Sequence, residues 1–330
     1  MDNQPLNTHP SLAIVIPSYK GNFLAATLEG LAQQTNKNFT VYIDNDASKD
    51  DIEAIVLPFK NQLQIVYHRF ENNIGGKDLV AQWERCMQLT QNEPWIWLLP
   101  DDDVPEDGCV EAFYAGVAEA VQTNVFRFNT NCIDAKGNIT TVNPNHPVTE
   151  SGAAFIKARL RIDRYSTVCE YIFSRAAYES TGGFQAFPLA WFSDDASWLK
   201  FAGNLPIVTI PGPRVHIRMS DFNISNIGTG YAAQKANATL QYLLWLKNDF
   251  NHLLANELTL DEFLVIAKRF FNLQLLGSKA KLSWLQLFQL AQQCKSIWGT
   301  GLRNQFDPLI DFNPTGITRL KLKRFFGSKD

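Results

Sequence analysis

The chain has 330 residues, 45% of them hydrophobic, enough to bury a substantial core in one large domain with an addition or in two domains. With 30 Lys and Arg against 33 Asp and Glu, its net charge of −3 excludes the global basic field of a nucleic-acid binder. The five cysteines, Cys86, Cys109, Cys132, Cys169 and Cys294, are odd in number and form no C-x-x-C pair, which argues against a disulfide frame or a zinc site and for free thiols in a reducing compartment. Residues 1–10 have neither a basic n-region nor an apolar h-region, and no run reaches membrane-spanning length, so a cytoplasmic protein is expected.

The first apolar run, Leu12 to Ile16, predicts a central strand ending in the loop Pro17-Ser18-Tyr19-Lys20-Gly21. A helix follows, with Leu24, Leu28 and Leu31 on one face. A second strand, Phe39 to Ile43, ends in acid at Asp44-Asn45-Asp46, with Ser48 as N-cap of a helix through Ile52, Ile55 and Val56. A third, Leu63 to Tyr67, leads to Asn72-Asn73-Ile74-Gly75-Gly76. Leu79, Val80, Trp83, Cys86 and Met87 then recur at helical spacing, predicting a helix from Gly76 to about Gln91. The fourth strand, Trp95 to Leu99, reads as buried on both faces and stops at Pro100-Asp101-Asp102-Asp103.

Strand and helix alternating at this spacing predict βαβ units and a mostly parallel sheet flanked by helices, an α/β fold. Ligands of such sheets bind beyond the carboxyl ends of the strands, where all four polar clusters fall. Neighbouring carboxylates about 5 Å apart repel by about 3 kcal/mol at an effective dielectric of about 20, so crowded acids gain when a cation joins them. Oxygen ligands favour Mg²⁺ or Mn²⁺ shared with substrate phosphates. No G-x-G-x-x-G or Walker A sequence is present.

The second half is less regular. Strands are expected at Asn124 to Phe128 and Val168 to Phe173, a hairpin across Asn131 to Asn145, and a short helix from Ser174. A loop at Thr181-Gly182-Gly183-Phe184 precedes Trp191-Phe192-Ser193-Asp194-Asp195, where Asp194 is expected to cap a helix with Asp195 in its first turn, leaving one acid for chemistry. Trp191, Phe192 and Trp198 suit either a sugar face or the core. After a short strand, Ile207 to Ile210, His216 is either structural or an additional metal ligand. From about residue 231 the chain becomes a series of amphipathic helical runs. It ends in Arg319-Leu-Lys-Leu-Lys-Arg-Phe-Phe326, either a solvated tail or a peripheral contact with an anionic membrane surface.

Ile14-Val-Ile-Pro17-Ser18-Tyr19, Asp44 to Ser48, Asn73-x-Gly75, Leu99-x-Asp-Asp-Asp103, and Gly182-Gly183-Phe184 followed by Asp194-Asp195 stand in the order seen in glycosyltransferase family 2, which this chain resembles over about residues 11–220. The resemblance implies a GT-A fold at 1–230, with a Rossmann-like nucleotide-binding, nucleotide-sugar half at about 11–104 and an acceptor half at about 105–230; the helical region 231–330 lies outside it. It further implies an inverting, metal-assisted transfer of a sugar from a nucleotide-linked, UDP-type donor to a glycan or lipid-linked saccharide, with Mg²⁺ or Mn²⁺. Pro17, Tyr19, Asp44, Asp46, Asn73 and Gly75 would hold the donor, with Asp101 and Asp102. Asp103 and Asp101 would hold the metal, with His216 added, and Asp195 or Asp194 would be the base. The family's usual acidic pair is Glu-Asp, and Pro100 stands where an additional Asp is common. Nucleotidyl transfer to a sugar phosphate is the rival enzyme class, disfavoured by the absence of a Gly- and basic-rich first loop; a non-catalytic glycan-binding relative is the rival without chemistry.

Overall fold

The computed structural model describes residues 12–119, 122–220, 231–277 and 284–299, and the backbone of two short paired strands at 310–311 and 319–320. Four parallel strands build the first half: β1 (Leu12–Ser18), β2 (Phe39–Asn45), β3 (Ile65–Arg69) and β4 (Trp95–Leu98). β1 and β2 are almost wholly buried and β3 is the half-exposed edge, as expected when helices cover both faces of the inner strands. The helices are α1 (Leu24–Ala32), α2 (Ile52–Val56) and α3 (Leu79–Met87).

After β4 the chain forms β5 (Val104–Pro105), α4 (Cys109–Ala118), β6 (Val125–Ile133), β7 (Ile139–Val142), β8 (Thr149–Glu150), α5 (Gly152–Arg161), β9 (Tyr171–Ser174), α6 (Arg175–Ser180), α7 (Ser193–Ala202) and β10 (Ile207–Arg218). All ten strands join one sheet in the order β3-β2-β1-β4-β9-β6-β10-β5, with β7 on β6 and β8 on β10. The parallel block thus continues into a mixed half, because β9 runs antiparallel between β4 and β6. Trp97 pins this junction by donating from its indole to the Cys169 carbonyl at 2.6 Å.

Three local expectations change. Asp51 caps α2, accepting from the Ala54 amide at 3.1 Å, while the Ser48 hydroxyl donates to the Tyr19 carbonyl at 2.5 Å. Asp194 and Asp195 both lie in the first turn of α7, so Asp194 is not its cap. The short strand expected at Ile207 to Ile210 runs on to Arg218: Pro211-Gly-Pro213 bulges out of the pairing with β6, Gly212 takes φ +94°, and Val215 and His216 pair with Pro105 and Val104.

The chain divides into two compact units, one of residues 1–155, 165–186 and 194–221, the other of 156–164, 187–193 and 222–330. The second unit therefore recruits two segments beyond the helical region read from sequence. In it α8 (Ala232–Asn248) carries Tyr242, against which Phe192 stacks with ring centroids 5.1 Å apart and Phe187 sits edge-on at 5.8 Å. α9 (Phe250–Leu253), α10 (Leu260–Gly277) and α11 (Trp284–Trp298) complete it. Among the described residues no helix is long and apolar enough to cross a membrane. Most of the tail from Arg319 to Phe326 lies outside the described residues.

Candidate functional site

The loops after β1, β2 and β4 meet at one rim, as parallel topology requires. Asp101 reaches back across the sheet, and its Oδ2 accepts from the Tyr19 amide at 3.0 Å, the Lys20 amide at 3.3 Å and the Ser18 hydroxyl at 3.2 Å. Asp46 is buried and organises the loop before α3. It accepts from Asn73 Nδ2 at 2.7 Å, the Ile74 amide at 3.0 Å, the Gly75 amide at 2.9 Å, and the Arg85 guanidinium. A Cβ on Gly75 would lie 2.7 Å from Asp46 Oδ2, so the backbone approaches the carboxylate as only glycine allows. Pro17 is half-buried on β1 opposite Asp44, while Tyr19 is 42% exposed and presents an aromatic ring at the rim. Asp44 points beneath the rim: it is 1% exposed, and burial holds its carboxyl up at about 7, with the Cys86 thiol and the Arg85 charge offsetting only part of that cost.

The three aspartates after β4 divide the work. Asp101 is raised to about 6 by burial and the neighbouring charge of Asp102, against the three donors that favour its ionised form. Burial also raises Asp102, which Arg218 opposes, and holds Asp103 well above the usual range, reinforced by the charge of Asp102. Asp103 turns inward and accepts from the Arg218 amide at 2.8 Å. The Arg218 side chain donates to the Asp102 carbonyl and the Asp134 carbonyl, each at 2.9 Å, and lies 4.6 Å from the ring centre of Phe23. Sequence reasoning missed Arg218; its place two residues beyond His216 on the same strand face was the available signal.

His216 is half-buried beside Glu106. Its Nε2 is 3.2 Å from Glu106 Oε1, and burial lowers its pKa against the raising effect of Glu106. Val104 pairs with it, and both line an open groove of about 890 Å³ together with residues of α1 and with Arg218. Among the described residues no three His, Cys, Asp or Glu side chains form a ready-made metal cage. Asp101 and Asp103 each feel the charge of Asp102 between them, and oxygen ligands of this kind suit Mg²⁺ or Mn²⁺, which commonly take one or two protein carboxylates and complete their shell with substrate phosphates.

The acidic pair enters through strained backbone: Leu189, Ala190 and Phe192 all have φ between 54° and 64°. Asp195 is 1% exposed on α7, and its charge is felt by the buried phenol of Tyr171; Asp194 is half-buried. Of the three aromatics considered for sugar stacking, Trp198 is fully buried and stacks on Tyr171 with centroids 4.7 Å apart, and Phe192 packs on Tyr242. Trp191 is half-buried, with the Lys235 ammonium 4.3 Å from its ring centre.

Residues 13–167 match the family model described as Glycosyl transferase family 2. An uncharacterized glycosyltransferase of Haemophilus influenzae is 34% identical over 93 residues, 28% of this chain and 29% of the relative. One from Rickettsia typhi is 33% identical over 98 residues, 29% of each chain. The matched stretch therefore spans under a third of the curated relatives' length. The fold resembles the crystal structure of S. aureus TarS 1-349 in complex with UDP-GlcNAc, at a TM-score of 0.62 and 14% identity over 87% of this chain and 81% of that one. It also resembles the same protein in complex with UDP, at a TM-score of 0.52 and 14% identity over 96% and 97%. The α/β sheet with its C-terminal helices shares the fold of those structures, a GT-A arrangement.

Proposed function

We propose, from the match of residues 13–167 to the family 2 glycosyltransferase model, that this chain is a glycosyltransferase that moves a hexosyl or N-acetylhexosaminyl group from a UDP-linked donor to a hydroxyl of a glycan or lipid-linked saccharide, with inversion. The observation that carries this is the convergence of Asp101, Asp46, Tyr19 and Gly75 on one rim, held by hydrogen bonds between loops some 30 to 80 residues apart in sequence. The Tyr19 ring and the amides around Gly75 suit a nucleoside, and Asp101 and Asp103 would hold Mg²⁺ or Mn²⁺, with His216 the weaker candidate. Such an ion, when bound, neutralises charge growing on the leaving diphosphate. Asp195 on α7 would accept the acceptor hydroxyl's proton, with Asp194 beside it. The C-terminal basic tail would hold the protein peripherally at an anionic membrane surface.

A thermal-shift panel of UDP-sugars with and without Mn²⁺ tests the donor, since a ligand at about 100 times its Kd adds about 2.7 kcal/mol. Asp195→Asn should retain donor binding by calorimetry and lose transfer; lost binding instead would overturn its assignment. Pyrophosphate release from a nucleoside triphosphate would favour nucleotidyl transfer.

A further inference from the structure

Two consecutive residues of α3 face two different loops. Arg85 donates to Asp46 Oδ1 and, at 3.0 Å, to the Asn72 carbonyl, closing the loop that carries Asn73 and Gly75. Glu84 points to the other side. Its Oε1 accepts from the Phe184 amide at 2.6 Å and its Oε2 from the Tyr178 hydroxyl. Gly183, at φ +81°, lies so close that a Cβ there would be 2.5 Å from Glu84 Oε1. The turn is gripped from the opposite side by α7, the helix that carries Asp194 and Asp195: Lys200 donates to the Gly183 carbonyl at 2.8 Å, and the Gln185 amide donates to the Ser197 hydroxyl at 2.9 Å.

We propose that Glu84 is a positioning residue: through the Gly182-Gly183-Phe184 turn it sets the placement of α7, and with Arg85 it makes α3 the strut linking the Asp46 loop to the candidate base. The physical reason is that each grip on the turn is a short hydrogen bond to backbone and two are made by charged groups, which are shorter and stronger than neutral ones. Left-handed glycines let the turn bend tightly between the two helices. On the same side Trp83 meets Phe184 edge-on, with centroids 5.5 Å apart, a contact that offers the Phe184 amide no acceptor oxygen. The catalytic part of this inference rests on Asp195 being the base.

The test is backbone hydrogen exchange on the full chain without ligand, comparing Glu84→Ala and Glu84→Gln with the parent. Glu84→Ala is expected to speed exchange by about tenfold across residues 182–186 and 193–199 while β1 keeps its protection. Glu84→Gln, which retains an oxygen for the Phe184 amide, should restore most of it. Faster exchange confined to Phe184, or spread equally to β1, would overturn the proposal. If Glu84→Ala does not fold, Lys200→Met, which removes the α7 bond to the Gly183 carbonyl and the charge that faces Glu84, gives the same readout. In a second arm, Glu84→Ala should leave UDP affinity by calorimetry within about twofold and lower kcat for the active UDP-sugar by about 10- to 100-fold, the effect of misplacing a reacting group by about an ångström. Equal losses in affinity and kcat would also overturn it. Should Asp195→Asn keep full transfer while the exchange pattern holds, only the base assignment falls.

Discussion

Asp44 offers the sharpest energetic test of the site. Its carboxyl is 1% exposed and among the described residues no N–H or O–H donor meets either oxygen, so burial raises its pKa from an ordinary value near 3.8 to about 7. Below about pH 4 the folded and unfolded chains both hold the proton and the residue has no pH-dependent cost. As pH rises from about 4 to 7 the unfolded chain releases the proton first, so stability falls, and the loss is complete above about pH 7. The gap corresponds to about 4 kcal/mol at 1.36 kcal/mol per tenfold change. Asp44→Asn keeps the shape and removes the titration. Allowing about 1–3 kcal/mol for a buried amide with incomplete partners, it should stabilise the protein by about 1–3 kcal/mol at pH 8 and destabilise it by about 1–3 kcal/mol at pH 4, where the titration gives no gain. Urea midpoints of parent and variant at pH 4, 6 and 8, at an unchanged slope, read this directly. If the two midpoints run parallel across that range, Asp44 is already ionised in the fold and the burial argument fails.

Gly75→Ala should weaken UDP binding and lower thermal stability together, because its Cβ would press to 2.7 Å from Asp46 Oδ2; calorimetry and a melting curve report both. Glu150→Ala leaves the fully buried Arg127 without its 2.7 Å ion-pair partner and should cost about 3–5 kcal/mol by denaturant unfolding, with the double change to Arg127→Met recovering much of the loss. Asp103→Ala is expected to abolish Mn²⁺-dependent donor turnover, measured as UDP release, and a parental rate would refute its role.

The parallel half was legible in sequence because its signal is local. Apolar runs of strand length, each ending in Asp, Asn, Gly or Pro, mark β1, β2 and β4, and parallel topology then sends every loop to one rim. Boundaries drifted where a polar side chain chose a distant partner over a near one. Ser48 holds the Tyr19 carbonyl and leaves the cap to Asp51, and β10 crosses a Pro-Gly-Pro bulge that reads in isolation as a strand end.

Residue type and spacing by themselves determined the α/β class, the acidic cluster after β4 and the Gly-Gly-Phe turn before the paired aspartates. Tertiary structure alone decided that Asp44 lies beneath the rim, that His216 joins Glu106, and that Arg85, Glu84 and Arg218 reach across loops to hold the site's carboxylates and turns. The division has one physical cause. Burial and period are properties of neighbouring residues, whereas the partner of a long charged side chain is set by which backbone groups other elements leave within reach once the sheet has formed.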